Sequence, residues 1–200
     1  MSDALVMDRD RALEICERLL AVSTAEQTEV NLLASRSGLT RFANNEIHQS
    51  VAETDAEVLV RAAIGNRVGV AGTNDLSPDG LREVAERACR LAAVATPDEQ
   101  FPGLPDPGDE PQSVEGSAST AAFGPAARAE AVRECIAVAR ERGQTAAGAC
   151  SADLVAHAVA NSLGVRAWQE NTVANLRMVF AAEDSSGYAE AFAEDASTLR

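Results

Sequence analysis

Apolar residues recur at helical spacing at the start of the chain, where Ala12, Ile15, Cys16 and Leu19 form a stripe that predicts a helix from about Asp8 to Val22. The period then drops to two. Alternating runs predict strands in "TEVNLLASR", "GLTRFANN", "EIHQSVAET", "AEVLVRAAI" and "RVGVAGT". Gly65 and Asn66 alone separate the last two runs, a link that suits a primed hairpin turn because both residues tolerate positive φ. Asn44 and Asn45 mark another turn, since asparagine accepts left-handed geometry. Ser77 offers an N-cap oxygen, Pro78 fits the first helical position and Asp79 favours the positive end of the dipole, so a second helix is expected to about Val94.

Residues 96–123 hold five of the seven prolines, several acidic residues and no arginine. Proline removes backbone donors and like charges repel, which predicts an extended connector rather than packed structure. A third long helix opens at Gly124 and Pro125, carries the stripe Val132, Ile136 and Ala139, and is closed by Arg140, Arg142 and Gly143. Strands resume in "TAAGACSAD", "LVAHAVANS", "VRAWQENT", "ANLRMVFAAE" and "GYAEAFAED". The organisation expected is therefore a helix-plus-meander unit over residues 1–95, a connector over 96–123 and a second such unit over 124–200. This reads as an α+β fold with helices packed on antiparallel meanders. The two halves look alike, "SGLTRFANNE" matching "SLGVRAWQEN" and "AEVLVRAAIGNRVGVAGTND" matching "ANLRMVFAAEDSSGYAEAFAED".

Charge narrows the partners. Arginine is the sole basic residue besides histidine, and the net charge of −14 argues against direct nucleic-acid binding, which needs cation-rich surface. No apolar run approaches the ~18 residues of a membrane span, and the acidic start "MSDALVMDRDRALE" has no signal-peptide pattern, so a cytoplasmic location without a membrane is expected. The four cysteines show no CxxC or ligand spacing and read as buried thiols. His48 and His157 lie far apart in sequence with no further ligands beside them, so no metal, cofactor or catalytic site is expected in this chain. No GxSxG elbow is present, "GNRVGVAG" lacks the strand, turn and helix order of a phosphate cradle, and "EDSSGY" is too short for a calcium loop.

Four segments in order, "GLTRFANNEIHQSV", "VRAAIGNRVGVAGTNDLSPDGLREVAERACRLA", "TPDEQFPGLPDP" and "VANSLGV" with "SSGYAEAFAED", resemble the N-terminal part of the TldD/PmbA family, also called TldD/TldE and described as modulators of DNA gyrase. The third segment leans to the PmbA-like branch. The resemblance implies a cytoplasmic peptidase system that degrades or trims unfolded peptides, built as a homodimer or as a heterodimer with a paralogue. It also implies zinc, held by a His-Glu-x-x-x-His helix and a later cysteine in a C-terminal half expected beyond Arg200. None of those ligands maps onto a residue here. The family's active members imply a hydrolase; a silent scaffold partnering an active paralogue is the alternative. Within this chain the expected contribution is a wall of the substrate channel that holds an extended peptide along a strand edge. The candidate rim is Arg41, Asn44, Asn45 and Glu46, with Arg166 and Asn171 as counterparts in the second half.

Overall fold

The computed structural model describes residues 6–108 and 114–199. Helix α1 spans Arg9–Val22 and is followed by strands β1 (Gln27–Ala43), β2 (Glu46–Ile64) and β3 (Arg67–Thr73), then helix α2 (Pro78–Val94). The short helix α3 (Ala118–Ala121) precedes α4 (Pro125–Glu141), strands β4 (Thr145–Asn161), β5 (Arg166–Ala181) and β6 (Ser186–Ala193), and a 3-10 turn at Ala196–Thr198. The helix starts follow their caps: Arg11 N–H donates to Asp8 Oδ1 at 2.7 Å, and Gly80 N–H donates to Ser77 Oγ at 3.1 Å.

All six strands form one sheet in the order β3-β2-β1-β4-β5-β6, and every pairing is antiparallel. The α+β expectation is met. Each half contributes helices, two long strands and a short one, and the halves join where β1 pairs with β4 from Glu29 opposite Asn161 to Phe42 opposite Gly148.

Strand pairing corrects two expectations. The paired runs of the sequence fuse into long strands: Ser37, left between two expected strands, and Gly38, the start of the second, lie inside β1, with Gly38 opposite Ala52 on one side and Ala152 on the other. A glycine flanked by partners on both edges loses the freedom that would make it a turn. The proposed match of "SGLTRFANNE" with "SLGVRAWQEN" fails accordingly, because the first runs along β1 to its hairpin and the second begins in the β4–β5 connection. The other match holds, as the β2–β3 and β5–β6 hairpins.

The connector, where described, is packed rather than free. Asp98 N–H donates to Asn66 O at 2.8 Å, Leu104 N–H donates to Gln27 Oε1 at 2.7 Å, and Asn161 Nδ2 donates to Pro105 O at 2.8 Å. Leu104 is buried, and Val114 O accepts from Glu170 N–H at 2.8 Å. Proline gives up its donor but keeps its carbonyl, and that of Pro105 accepts from the side chain of Asn161 at the end of β4. Residues 109–113 lie outside the described residues.

All the long helices cover one face of the sheet. Even-numbered positions of β1 point toward them, with Val30, Leu32 and Ala34 under α1 and α2 and Phe42 beside Val132, Ile136 and Ala139 of α4. The opposite face stays open, leaving Leu33, Leu59, Val70 and Val173 39–47% exposed. No helix among the described residues is long and apolar enough to cross a membrane. The thiols split: Cys16 and Cys150 are buried, and burial pushes them up to about 12 and about 11, whereas Cys89 and Cys135 are only partly buried. That corrects the reading of four core thiols.

Gly69 lets α2 lie directly on β3, since a Cβ there would fall 2.2 Å from Ala92 N and 2.3 Å from Ala88 O. Gly69→Ala is expected to cost about 1–3 kcal/mol by overpacking. Urea unfolding of the variant against the parent chain checks it.

Candidate functional site

The β1–β2 hairpin tip carries four of the candidate residues. Asn44 and Asn45 have φ values of 52° and 61°, the geometry a type I′ turn requires at both central positions. Asn45 then fastens the tip to the α4–β4 connection. Its Nδ2 donates to Gln144 O at 2.9 Å, its Oδ1 accepts from Ala146 N–H at 2.7 Å, and its carbonyl accepts from Arg140 Nη2 at 2.9 Å. Asn44, Arg41 and Glu46 are exposed. Asn45, Glu46 and Ile47 border a recess of about 460 Å³ with Arg133, Ile136 and Arg140 of α4. Just beyond, the β1–β2 register shifts between Arg41 opposite Gln49 and Phe42 opposite Ile47, so His48 is the extra residue of a β-bulge and is exposed.

Arg166 and Asn171 are not part of that rim. Arg41 sits opposite Ala149 of β4 and Arg166 opposite Ala160, which separates them by ~36 Å at ~3.3 Å per residue. Arg166 is a brace: it pairs with Glu17 and donates to Asn161 O at 2.7 Å and Val165 O at 2.6 Å. Asn171 is exposed on β5, opposite Val155.

What the hairpin does create is a free strand edge. Strand β3 pairs with β2 only from Val58 onward, so residues 46–57 have no strand on their outer side among the described residues, and residues 46–55 are exposed on both faces. The segment carries Glu46, Glu53, Asp55 and Glu57 and no arginine.

Other polar groupings were missed by the sequence reading. On the open face a chain crosses three strands, from His157 Nε2 to Asn31 Oδ1 at 3.3 Å, Asn31 Nδ2 to Glu29 Oε1 at 3.1 Å and Arg61 Nη1 to Glu29 Oε1 at 3.5 Å. Strand register alone brings these together. On the helix face Arg128 is buried although it continues the apolar stripe of Val132, Ile136 and Ala139. An arginine in such a stripe was the available signal. Glu170, also buried, has its carboxyl pushed above the usual range by burial, against the opposing pull of the Val6 and Gly116 amides and of Arg36.

The described residues do not fit a zinc site. His48 stands on the β2 bulge, His157 is engaged by Asn31, and no three His, Cys, Asp or Glu side chains among the described residues converge to hold a metal ion.

Residues 28–92 match the family model for the PmbA/TldA metallopeptidase domain 1. Three solved structures share the fold: TldE from Thermococcus kodakarensis (TM-score 0.74, 21% identity, covering 91% of this chain and 42% of that one), a proposed modulator of DNA gyrase from Bacteroides thetaiotaomicron (0.78, 16%, 98% and 47%) and another from Thermotoga maritima (0.73, 14%, 94% and 44%). The chain thus spans less than half the length of these structures. No curated protein matches it. The family read from the sequence is the one whose first-domain model matches residues 28–92.

Two outcomes follow from the site geometry. Asn45→Gly keeps the turn's backbone but removes two side-chain hydrogen bonds and is expected to cost about 1–3 kcal/mol in chemical denaturation, whereas Asn44→Gly stays within about 0.5 kcal/mol. For Glu170 the folded pKa lies above the ordinary 4.5, so the fold holds the proton more tightly than the unfolded chain does, and stability falls as pH rises from about 4.5 through the folded value. The melting temperature of Glu170→Gln minus that of the parent should therefore increase between pH 4 and pH 7.5 in thermal scans; a constant difference would contradict the assignment.

Proposed function

We propose, taking the family's first domain as the premise, that this chain is the substrate-channel and assembly part of a TldD/PmbA-type metallopeptidase that acts on unfolded or precursor peptides in the cytoplasm. The observation that carries the reading is the edge of β2, with no strand beside residues 46–57 among the described residues and residues 46–55 exposed on both faces. An extended peptide added to this edge is gripped by backbone hydrogen bonds, which read no side chains and so suit substrates of mixed sequence. Its carboxylates, Glu46, Glu53, Asp55 and Glu57, favour peptides that carry basic residues and disfavour nucleic acid.

Bond breaking is assigned to no residue here. Zinc and its ligands belong to a second domain, and the assembled unit is a homodimer or a heterodimer with a paralogue. Of the original rim, Arg41 and Glu46 flank the start of the edge and remain substrate-facing, while Asn44 and Asn45 set the turn that presents it.

Hydrogen exchange on the 200-residue chain, with and without an unstructured arginine-containing peptide, tests the edge. Amides of residues 46–57 should slow with peptide bound, and the triple variant Glu53→Arg, Asp55→Arg, Glu57→Arg should lose at least about tenfold in affinity, which is about 1.4 kcal/mol. Protection elsewhere with residues 46–57 unchanged would end the reading. A subunit carrying both domains that turns over peptide only alongside its paralogue would favour the silent-scaffold role instead.

A further inference from the structure

We propose that the cavity above Gly38 binds a carboxylate through Arg128. The cavity, of about 400 Å³, lies between the sheet and the start of α4 and is bordered by Arg36, Gly38, Ala52, Phe123, Arg128 and Ala152, among others. Its floor is a row of small residues across three adjacent strands, Ala52 of β2, Gly38 of β1 and Ala152 of β4. Glycine at the centre makes room for a cation: a Cβ there would lie 2.4–2.8 Å from the terminal atoms of the Arg128 guanidinium.

That guanidinium is deeply placed and incompletely used. Arg128 is 3% exposed, its Nη1 donates to Phe123 O at 2.9 Å and its Nε donates to Thr40 Oγ1 at 3.4 Å. Nη2 has no hydrogen-bond partner among the described residues. An unpaired buried nitrogen on a charged group is costly, and an anion is the ligand that relieves it. Burial pushes the Arg128 guanidinium below its ordinary range, and the fields of Cys150 and Asp153 do not offset this.

The surroundings agree in sign. No aspartate or glutamate among the described residues borders the cavity, although the chain as a whole carries a net charge of −14. Arg36 also stands at the wall, where it donates to Ala121 O at 3.0 Å and is drawn on by Glu170. Helix α4 begins there, with Gly124 and Pro125 on the cavity border and an N-cap that offers no side-chain acceptor. A single spare nitrogen among apolar walls such as Ala122, Phe123, Pro125 and Leu154 suits a monoanion on an organic stem better than a doubly charged phosphate. The ligand class is a carboxylate, borne by a peptide C-terminus or by an acidic side chain. The inference stands on the cavity and does not require peptide on the β2 edge.

The test is an NMR titration of the 200-residue chain with sodium acetate, against sodium chloride at matched ionic strength. Acetate should give saturable shifts at the Gly38, Ala52 and Ala152 amides and at the Arg128 side chain, absent with chloride. Arg128→Met should abolish them and Arg128→Lys weaken binding at least fivefold. Should Arg128→Met not fold, the parent's Arg128 side-chain signals decide the matter without a variant. A peptide acid that binds at least tenfold tighter than its amide names the C-terminus as source, and an internal glutamate preferred over glutamine names a side chain. Shifts that chloride reproduces, shifts that persist in folded Arg128→Met, or tighter binding of inorganic phosphate than of acetate would overturn the proposal.

Discussion

The pairing of β1 with β4 is the constraint on which the molecule rests. Each half alone is a three-stranded meander with helices on one side, and its first strand would be an edge; joined, those two strands become the centre of one sheet. The seam places α1 and α2 over one end of the sheet and α4 over the other, on the same face, because successive side chains must alternate and both halves offer their small and aliphatic residues to that face. Alanine dominates the middle, with Ala34, Ala156, Ala158 and Ala160 all buried, and this lets the helices lie close to the strands.

The same arrangement decides where function is available. Strand β3 is short, so it covers only the part of β2 that α2 needs, and the remainder of β2 projects as a hairpin arm with its outer backbone unpaired. The arm is not loose at its tip, since Asn45 and Arg140 tie it to α4 and the start of β4. A rigid, open edge next to a cavity holding a buried cation is a combination that neither half would produce by itself, because Ala52, Gly38 and Ala152 come from both sides of the seam.

Much of this was legible in the sequence. Caps, prolines and glycines marked α1, α2 and α4 closely, and the Asn-Asn turn was legible because asparagine is a residue type that tolerates left-handed backbone. Less legible was anything set by pairing over long range. Whether Gly38 ends a strand or sits inside one depends on Ala52 and Ala152, which lie far away in sequence, and on an arginine that fills the space its missing side chain leaves. For the same reason Arg166, chosen for its resemblance in position to Arg41, proved to brace the opposite end of the sheet. The tightly held connector was hidden by its own composition: prolines signal an absence of donors, but not the side-chain donors elsewhere that come to their carbonyls.

A bare edge carries a hazard as well as a use, since two copies can zip together along it and seed aggregation. The acidic residues of β2 act here as gatekeepers: wherever two such arms approach, carboxylate meets carboxylate, and the repulsion keeps the strands apart. Because exposed charges are screened within about 8 Å at physiological ionic strength and more closely in stronger brine, this guard is electrostatic rather than steric, and it weakens as salt rises. Solubility of the isolated chain is thus coupled to ionic strength through the very strand that leaves its backbone open to others.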